Sequence, residues 1–277
     1  MRCPETLDPK VQTTVTTRMQ FLLNLPPVIS FLIVSVITTA AALAGLRFVR
    51  KKYLTEVLKE NHEVAAIIFN AFGLLYAVVV AFVVFVTWSG YDDATKNLQM
   101  EANEVDDLFH IAKAFPDPAN KIIQQGLLDY TGSVYNDELK RMSQANISLH
   151  SNRTMARLIT VFYDMDERSI PNKELYAESL KRLNNLAQYR RLRIFAGNNE
   201  VPPVIWLVLL VGGAITVSYA FFFGMKNIKA QYMITAALTV TITMILFLIY
   251  VLDHPFTGTS KISAEPLKQV MEIMRKE

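Results

Sequence analysis

The sequence predicts an all-α membrane protein: four transmembrane helices with a helical extramembrane domain inserted between spans 2 and 3. Three observations carry this. Four apolar stretches, Pro26–Leu46, Val64–Trp88, Val201–Met225 and Tyr232–Leu252, contain no Asp, Glu, Lys, Arg or His. Each reaches the roughly 20 residues that a helix rising 1.5 Å per residue needs to cross a ~30 Å hydrocarbon layer. Between the second and third lies a polar segment of about 110 residues whose apolar positions recur at helical spacing.

Composition agrees. Of 277 residues, 52% are hydrophobic and only 19% are charged, with a mean hydropathy of +0.25. A net charge of +3 suits contact with anionic headgroups and gives no reason to invoke nucleic acid. Cys3 is the only cysteine, which excludes an intrachain disulfide and a thiol-based metal site. The first apolar run is followed by Arg47, Arg50, Lys51 and Lys52, a pattern of a true span and not of a cleaved signal peptide.

Along the chain, residues 1–24 form a polar arm. Residues 25–89 hold spans 1 and 2, and Pro26 and Pro27 open the first where a missing N–H costs nothing. Glu56, Lys59, Glu60 and Glu63 make the connector short and charged. The second span has a valine-rich stretch, Val78–Val80, that would be a poor helix in water. In lipid the backbone has no other hydrogen-bond partner, so the helix forms. Residues 90–200 are the helical domain. Leu98, Ala102, Val105, Phe109 and Ala112 make one apolar stripe. No Pro or Gly interrupts Tyr91–Phe115, so span 2 is expected to continue as one helix until Pro116. Further helices are expected over Ala119–Met142, around Met155–Phe162 and over Pro171–Phe195, with a polar loop at Ser143–Arg153. Residues 201–253 hold spans 3 and 4, and residues 254–277 are a tail.

With four spans, both termini and the domain lie on one membrane face. Lys and Arg near the span ends number seven on each side, so charge bias does not orient the chain.

The spans lack the buried carboxylate or histidine that proton-coupled carriers and pumps use. Polar groups at depth are Asn70, Tyr76, Ser30, Ser35 and several threonines. A channel needs only a lined hole, and an apolar constriction can gate it by dewetting. The alternative is a bundle with no permeation. Asn70, Tyr76, Val78, Phe82 and Phe85 are the pore or constriction candidates. Gly73, Ala77 and Ala81 form a small-residue seam that reads as helix packing, and Gly212–Gly213 reads the same way. Arg190, Arg191 and Arg193 precede span 3 as headgroup anchors or as a cationic ring. The four histidines are scattered, and no metal site, cofactor motif, phosphate loop or catalytic pair is present, so no enzymatic function is expected. Asn146 and Asn152 match the glycosylation pattern, a short one with frequent chance matches.

The segment Leu252-Asp253-His254-Pro255-Phe256-Thr257-Gly258 is the most distinctive. Its elements suit a helix exit: Asp253 near water, Pro255 as a stop, Gly258 as a turn. Asp253 is also expected to pair with Arg190–Arg193. Together with Asn70-x-x-Gly73-x-x-Tyr76, Phe82, Trp88, Glu101-Ala102, Tyr189-Arg190-Arg191-Leu192 and Pro202-Pro203 with Trp206, this segment resembles the bestrophin-like family of four-span bacterial membrane proteins. The match covers about 64–258. A more distant similarity links it to bestrophins, pentameric anion channels. That resemblance implies a homo-oligomer, favouring a pentamer, in a plasma (bacterial inner) membrane, with span 2 lining an ion pore and the middle domain cytoplasmic. Here the turn is one residue longer, and Thr259-Ser260-Lys261-Ile262-Ser263 follows it where those channels have a calcium-clasping acidic cluster. Calcium needs oxygen-rich acidic ligands, so calcium gating does not carry over. The alternative function is a membrane scaffold or stress-sensing protein that recruits a partner through its helical domain.

Overall fold

The structure, a computed structural model, describes residues 25–52, 62–142, 148–166, 170, 172–222 and 227–276. The arm 1–24, the connector around Lys59 and Asn146 lie outside them. The described residues are helical: α1 (Pro27–Lys52), α2 (His62–Ala112), α3 (Ala119–Ser133), a π-helical turn (Val134–Glu138), α4 (Leu139–Met142), α5 (Leu149–Tyr163), α6 (Lys173–Asn198), α7 (Pro203–Phe221), α8 (Ile228–Leu252) and α9 (Glu265–Lys276). Four of them, α1, α2, α7 and α8, are long and apolar enough to cross a membrane. As expected from Tyr91–Phe115, α2 runs unbroken for 51 residues.

The chain divides into two compact units. The first comprises residues up to Ser89 together with Glu200–Asp253. In it α1 lies antiparallel to α8. Thr38 and Thr243 share a hydroxyl hydrogen bond of 2.9 Å, and the Arg50 guanidinium near the far end of α1 donates to Gln231 Oε1. Gln231 Nε2 in turn donates to the carbonyls of Ala220 and Phe221, closing orphan acceptors at the end of α7. One buried amide thus ties three helices together. Ser30, Ser35, Thr216, Thr235, Thr239 and Thr243 are buried too. Hydroxyls suit such sites because each can bond a carbonyl one turn back, as Thr239 does at 2.7 Å and Thr216 at 2.8 Å.

Span 2 meets span 3 through a ring and a glycine. A Cβ on Gly212 would fall 2.6 Å from the Tyr76 ring, and the Tyr76 hydroxyl donates to Leu209 O at 2.9 Å. The Gly212–Gly213 expectation is met. Within one chain the Gly73–Ala77–Ala81 seam packs on no other helix: a Cβ on Gly73 would meet nothing within 4 Å, and Ala77 and Ala81 are exposed. The reason is rotational. The inward face of α2 is Tyr76, Val80, Val83 and Thr87, and the seam lies off it. Only 11% of the most apolar window of α2 is buried. The remaining apolar side chains point outward, as those of a helix in lipid or in an assembly do.

The second unit comprises Gly90–Asn199 with His254–Glu277. Its core contains the whole predicted stripe, Leu98, Ala102, Val105, Phe109 and Ala112, each at most 2% exposed. Ile123, Leu127, Leu158, Phe162, Leu183 and Leu186 pack on it. Ser148 caps α5, accepting the Ser151 N–H at 3.2 Å, so the helix starts at Leu149, inside the segment Ser143–Arg153 expected as loop. Asn172 caps α6 in the same way. The tail contains an unexpected helix, α9, whose Leu267, Val270, Met271 and Met274 are buried.

The Tyr76–Gly212 contact can be tested. Gly212→Val should destabilise the protein by about 1–3 kcal/mol through overpacking, read as a lower melting temperature in detergent. Gly73→Ala should change little. Tyr76→Ala combined with Gly212→Val should lose clearly less than the two single changes summed.

Candidate functional site

Two places in the chain concentrate features that the rest of the fold does not require. The first is a stripe on α2. Val78, Phe82 and Phe85 follow one another at four and three residues, so they line up along one helix face. Their exposures are 62%, 67% and 67%. At 3.6 residues per turn this face lies about 160° round from Tyr76. The sequence grouped Tyr76 with these residues, and the structure separates them. Tyr76 is spent on α7, whereas Val78, Phe82 and Phe85 touch no other helix closely enough to be covered. Asn70 is exposed, as is Trp88 at 57%. Nothing charged lies on this face.

The second is an ionic centre inside the second unit. Arg193 is fully buried on α6. Its Nε donates to Glu101 Oε2 at 2.6 Å, and its Nη2 donates to Glu101 Oε1 at 3.2 Å and to Glu138 Oε1 at 2.5 Å. Arg190, one turn earlier, donates through Nη2 to Glu138 Oε2 at 2.5 Å and to Asn152 Oδ1 at 2.7 Å. The Tyr130 hydroxyl donates to Glu101 Oε1 at 2.6 Å. The set unites α2, α3, the π-turn, α5 and α6 around two cations and two carboxylates.

The local geometry explains the set. Arg190 and Arg193 are three apart and share a helix face. In a straight α-helix continued from Ile123, Arg141 would come round to the inner side. The π-turn Val134–Glu138 inserts extra backbone and rotates Glu138 and Met142 inward instead. Asp137 and Arg141 stay at the surface, paired at 2.6 Å.

The electrostatics follow from enclosure. Burial opposes the charge on Glu138, yet Arg193 and Arg190 outweigh it and hold the carboxyl below its ordinary value. Burial likewise opposes the charge on Arg193, but Glu101 and Glu138 raise its pKa further above the ordinary guanidinium value. Burial and the nearby Glu101 charge push the Tyr130 phenol well up, so it stays a donor.

This placement corrects one expectation. Arg190 and Arg193 are not headgroup anchors or a cationic ring, because their guanidinium donors are used by Glu138, Glu101 and Asn152; Arg191 between them is exposed. Asp253 makes two hydrogen bonds within its own unit. Its Oδ1 accepts the Val201 N–H at 2.7 Å and its Oδ2 the Trp206 indole N–H at 3.4 Å, which fastens the exit of α8 to the entry of α7. The Trp206 ring sits edge-on to Tyr250 with centroids 6.3 Å apart. Asn152, a match to the glycosylation pattern, lies within α5 with its side-chain oxygen held by Arg190.

Pro255 and Phe256 are buried, and Gly258 adopts φ 75°, the left-handed turn that glycine permits. The Phe256 ring lies over Gly197, where a Cβ would fall 2.8 Å from Phe256 Cδ2. Glu138 and Tyr130 were missed from sequence, since Glu138 sits in the polar run Asn136–Arg141 and its frame is shifted by the π-turn. Among the described residues no group of three or more His, Cys, Asp or Glu could hold a metal.

A family model described as the Bestrophin-like domain matches residues 32–267. No curated protein matches the chain. Among solved structures, a bacterial Bestrophin homolog from Klebsiella pneumoniae, obtained by Zn-SAD phasing, is 14% identical, with 90% of this chain and 97% of that one covered at a TM-score of 0.67. A point variant of a Klebsiella pneumoniae homolog gives 14% identity, the same coverages and a TM-score of 0.71. A crystallised membrane protein variant gives 14%, 88% and 97% coverage and 0.70. At such identity these structures establish the shared fold.

The ionic centre carries its own test. Glu101→Leu should cost about 3–5 kcal/mol, because it leaves the Arg193 guanidinium buried without its main partner. Arg193→Lys should also lower the melting temperature, since one ammonium cannot serve both carboxylates. Glu138 ordinarily titrates at 4.5 and is depressed in the fold. Its contribution is therefore complete above about pH 4.5 and is lost as pH falls through the depressed value. A melting-temperature series from neutral to acid pH should show a steeper acid fall for wild type than for Glu138→Gln.

Proposed function

The chain belongs to the Bestrophin-like domain family, and from that premise we propose that it forms a closed ring of subunits, a pentamer, that conducts ions through a pore lined by α2. Anions are the preferred ions. The ring sits in the plasma membrane with the second unit outside the bilayer on the cytoplasmic side. The observation that carries the reading is the stripe Val78, Phe82 and Phe85. It is a row of large apolar side chains on the face of α2 opposite the one packed on α7, left uncovered within a single chain.

Four spans from one chain are too few to enclose a wide pore, so conduction requires a ring. In such a ring the stripe supplies concentric apolar collars at three successive levels of α2. A collar of valine and phenylalanine controls passage by dewetting, with no charge needed at the narrowest point. The charge-free spans agree with this and disfavour coupling to protons. The ionic centre of the second unit takes no direct part. It fixes the helices on which the pore helix continues.

Two measurements test the reading. Native mass in several mild detergents should give a pentamer, and only monomers or dimers would overturn the ring. Reconstituted Phe82→Ala should show more leak flux than wild type in vesicles. A reversal potential following the chloride gradient would establish anion preference. Absence of flux from both proteins, across several salts and voltages, would assign the chain to the scaffold or stress-sensing class instead.

A further inference from the structure

We infer that the second unit carries a binding site for a small organic anion with an apolar body, at the cavity beneath the loop that follows Asp253. The cavity measures about 470 Å³, within the range that holds a drug-sized molecule. One wall comes from Leu139 and Lys140 of α4 with Tyr135 of the π-turn, and the other from Phe256, Lys261 and Ile262 of the loop.

The cavity has fixed walls. The Ile262 N–H donates to Pro255 O at 2.8 Å, and the Thr257 N–H to His254 O at 3.1 Å, so the loop closes on itself around the Gly258 turn. Phe256 is 5% exposed and Ile262 7%, which holds their side chains against the core. The π-turn contributes as well. It sets which residues of the 134–142 segment face inward, and it leaves Tyr135, Leu139 and Lys140 on the cavity wall.

The lining then selects the ligand. Tyr135, Leu139, Phe256 and Ile262 offer an apolar surface suited to a ring or a short chain. Lys261 and Ser263 offer an ammonium and a hydroxyl donor, and Lys140 and Thr259 line the same cavity. Lys261 has no carboxylate partner among the described residues. The one acid on the wall, Glu265, lies 3.8 Å from Lys268 on the next turn of α9. The Lys261 ammonium, with the one acid on the wall already engaged by Lys268, favours a single negative charge on the ligand. A carboxylate on an apolar body is the chemistry that fits, whether it arrives as an aromatic acid from water or as a fatty acid from the bilayer. The inference stands whether or not the spans conduct.

The experiment is isothermal titration of the full chain in nonionic detergent with naphthalene-2-carboxylate, subtracting empty micelles, and in parallel with decanoate. At least one carboxylate should bind saturably. Lys140→Gln and Lys261→Gln should each weaken that binding roughly tenfold, as loss of a charge-assisted contact in a partly enclosed site would. Lys276→Gln, away from the lining, should not. Neutral naphthalene-2-carboxamide should bind at least about tenfold more weakly than the acid. Binding of the aromatic acid alone assigns the water-borne source, and of decanoate alone the lipid-derived one. Both lysines are exposed, so the variants should melt with wild type. No saturable binding by either carboxylate overturns the site. Equal binding of the amide, or binding indifferent to both lysine changes, overturns it too, since it would show apolar partition only.

Discussion

Arg193 is the constraint around which the second unit is arranged. A guanidinium with no solvent contact is tolerable only if its charge is matched and its donors are used. Glu101 and Glu138 supply that match from α2 and the π-turn. Arg190 balances the second carboxylate, so the buried cluster is neutral overall. None of these partners is close in sequence: Glu101 is 92 residues from Arg193 and Glu138 is 55. The cluster is therefore a registry device. Leucines at the same positions would also be buried, but they could slide by a turn. A forked cation between two carboxylates accepts one alignment of the helices.

That alignment explains the π-turn. A helix continued regularly would turn Asp137 and Arg141 inward and bring a third cation up to the two arginines already inside. One extra residue in the turn brings Glu138 and Met142 to those places and leaves Asp137 and Arg141 outside as a surface pair. A local irregularity thus satisfies a long-range electrostatic demand, which is a common reason for such bulges to persist. The same shift places Met142 beside Arg193, its thioether 2.9 Å from Nη1.

Most of the architecture was legible because it follows from periodicity and charge, which a sequence displays directly. The four charge-free runs became α1, α2, α7 and α8. The stripe Leu98–Ala112 became core at every position. Helix α9 was equally legible, since Leu267, Val270, Met271 and Met274 follow the three-to-four spacing, but a short polar tail invites no such search. The partners of Arg190 and Arg193 were not legible. Three arginines ahead of a span look like headgroup anchors, and only the fold shows that two are turned inward. The hydrogen bonds of Asp253 to the Val201 N–H and the Trp206 indole were not legible either, because they join the two ends of spans 3 and 4 across 52 and 47 residues. Tyr76 looked like a polar lining residue, but its ring needed Gly212 opposite, a fit between two spans that no single-span pattern reveals.

Helix α2 shows one rule producing opposite surfaces. Before Ser89 its large apolar side chains, among them Leu74, Val78, Phe82 and Phe85, point outward. From Ala94 onward Leu98, Ala102, Val105, Leu108, Phe109 and Ala112 are buried, and Lys96, Gln99, Met100 and Asn103 are exposed. The backbone passes from one regime to the other without a break, so the helix itself does not mark the change. The side chains do: Trp88, Tyr91, Asp92 and Asp93 follow within six residues, amphipathic rings and then charge, as at a membrane–water boundary. A helix whose surroundings change from hydrocarbon to water along its length must invert its pattern there. Val78, Phe82 and Phe85 fall on the apolar side of that inversion, on a face that no other helix of the same chain covers.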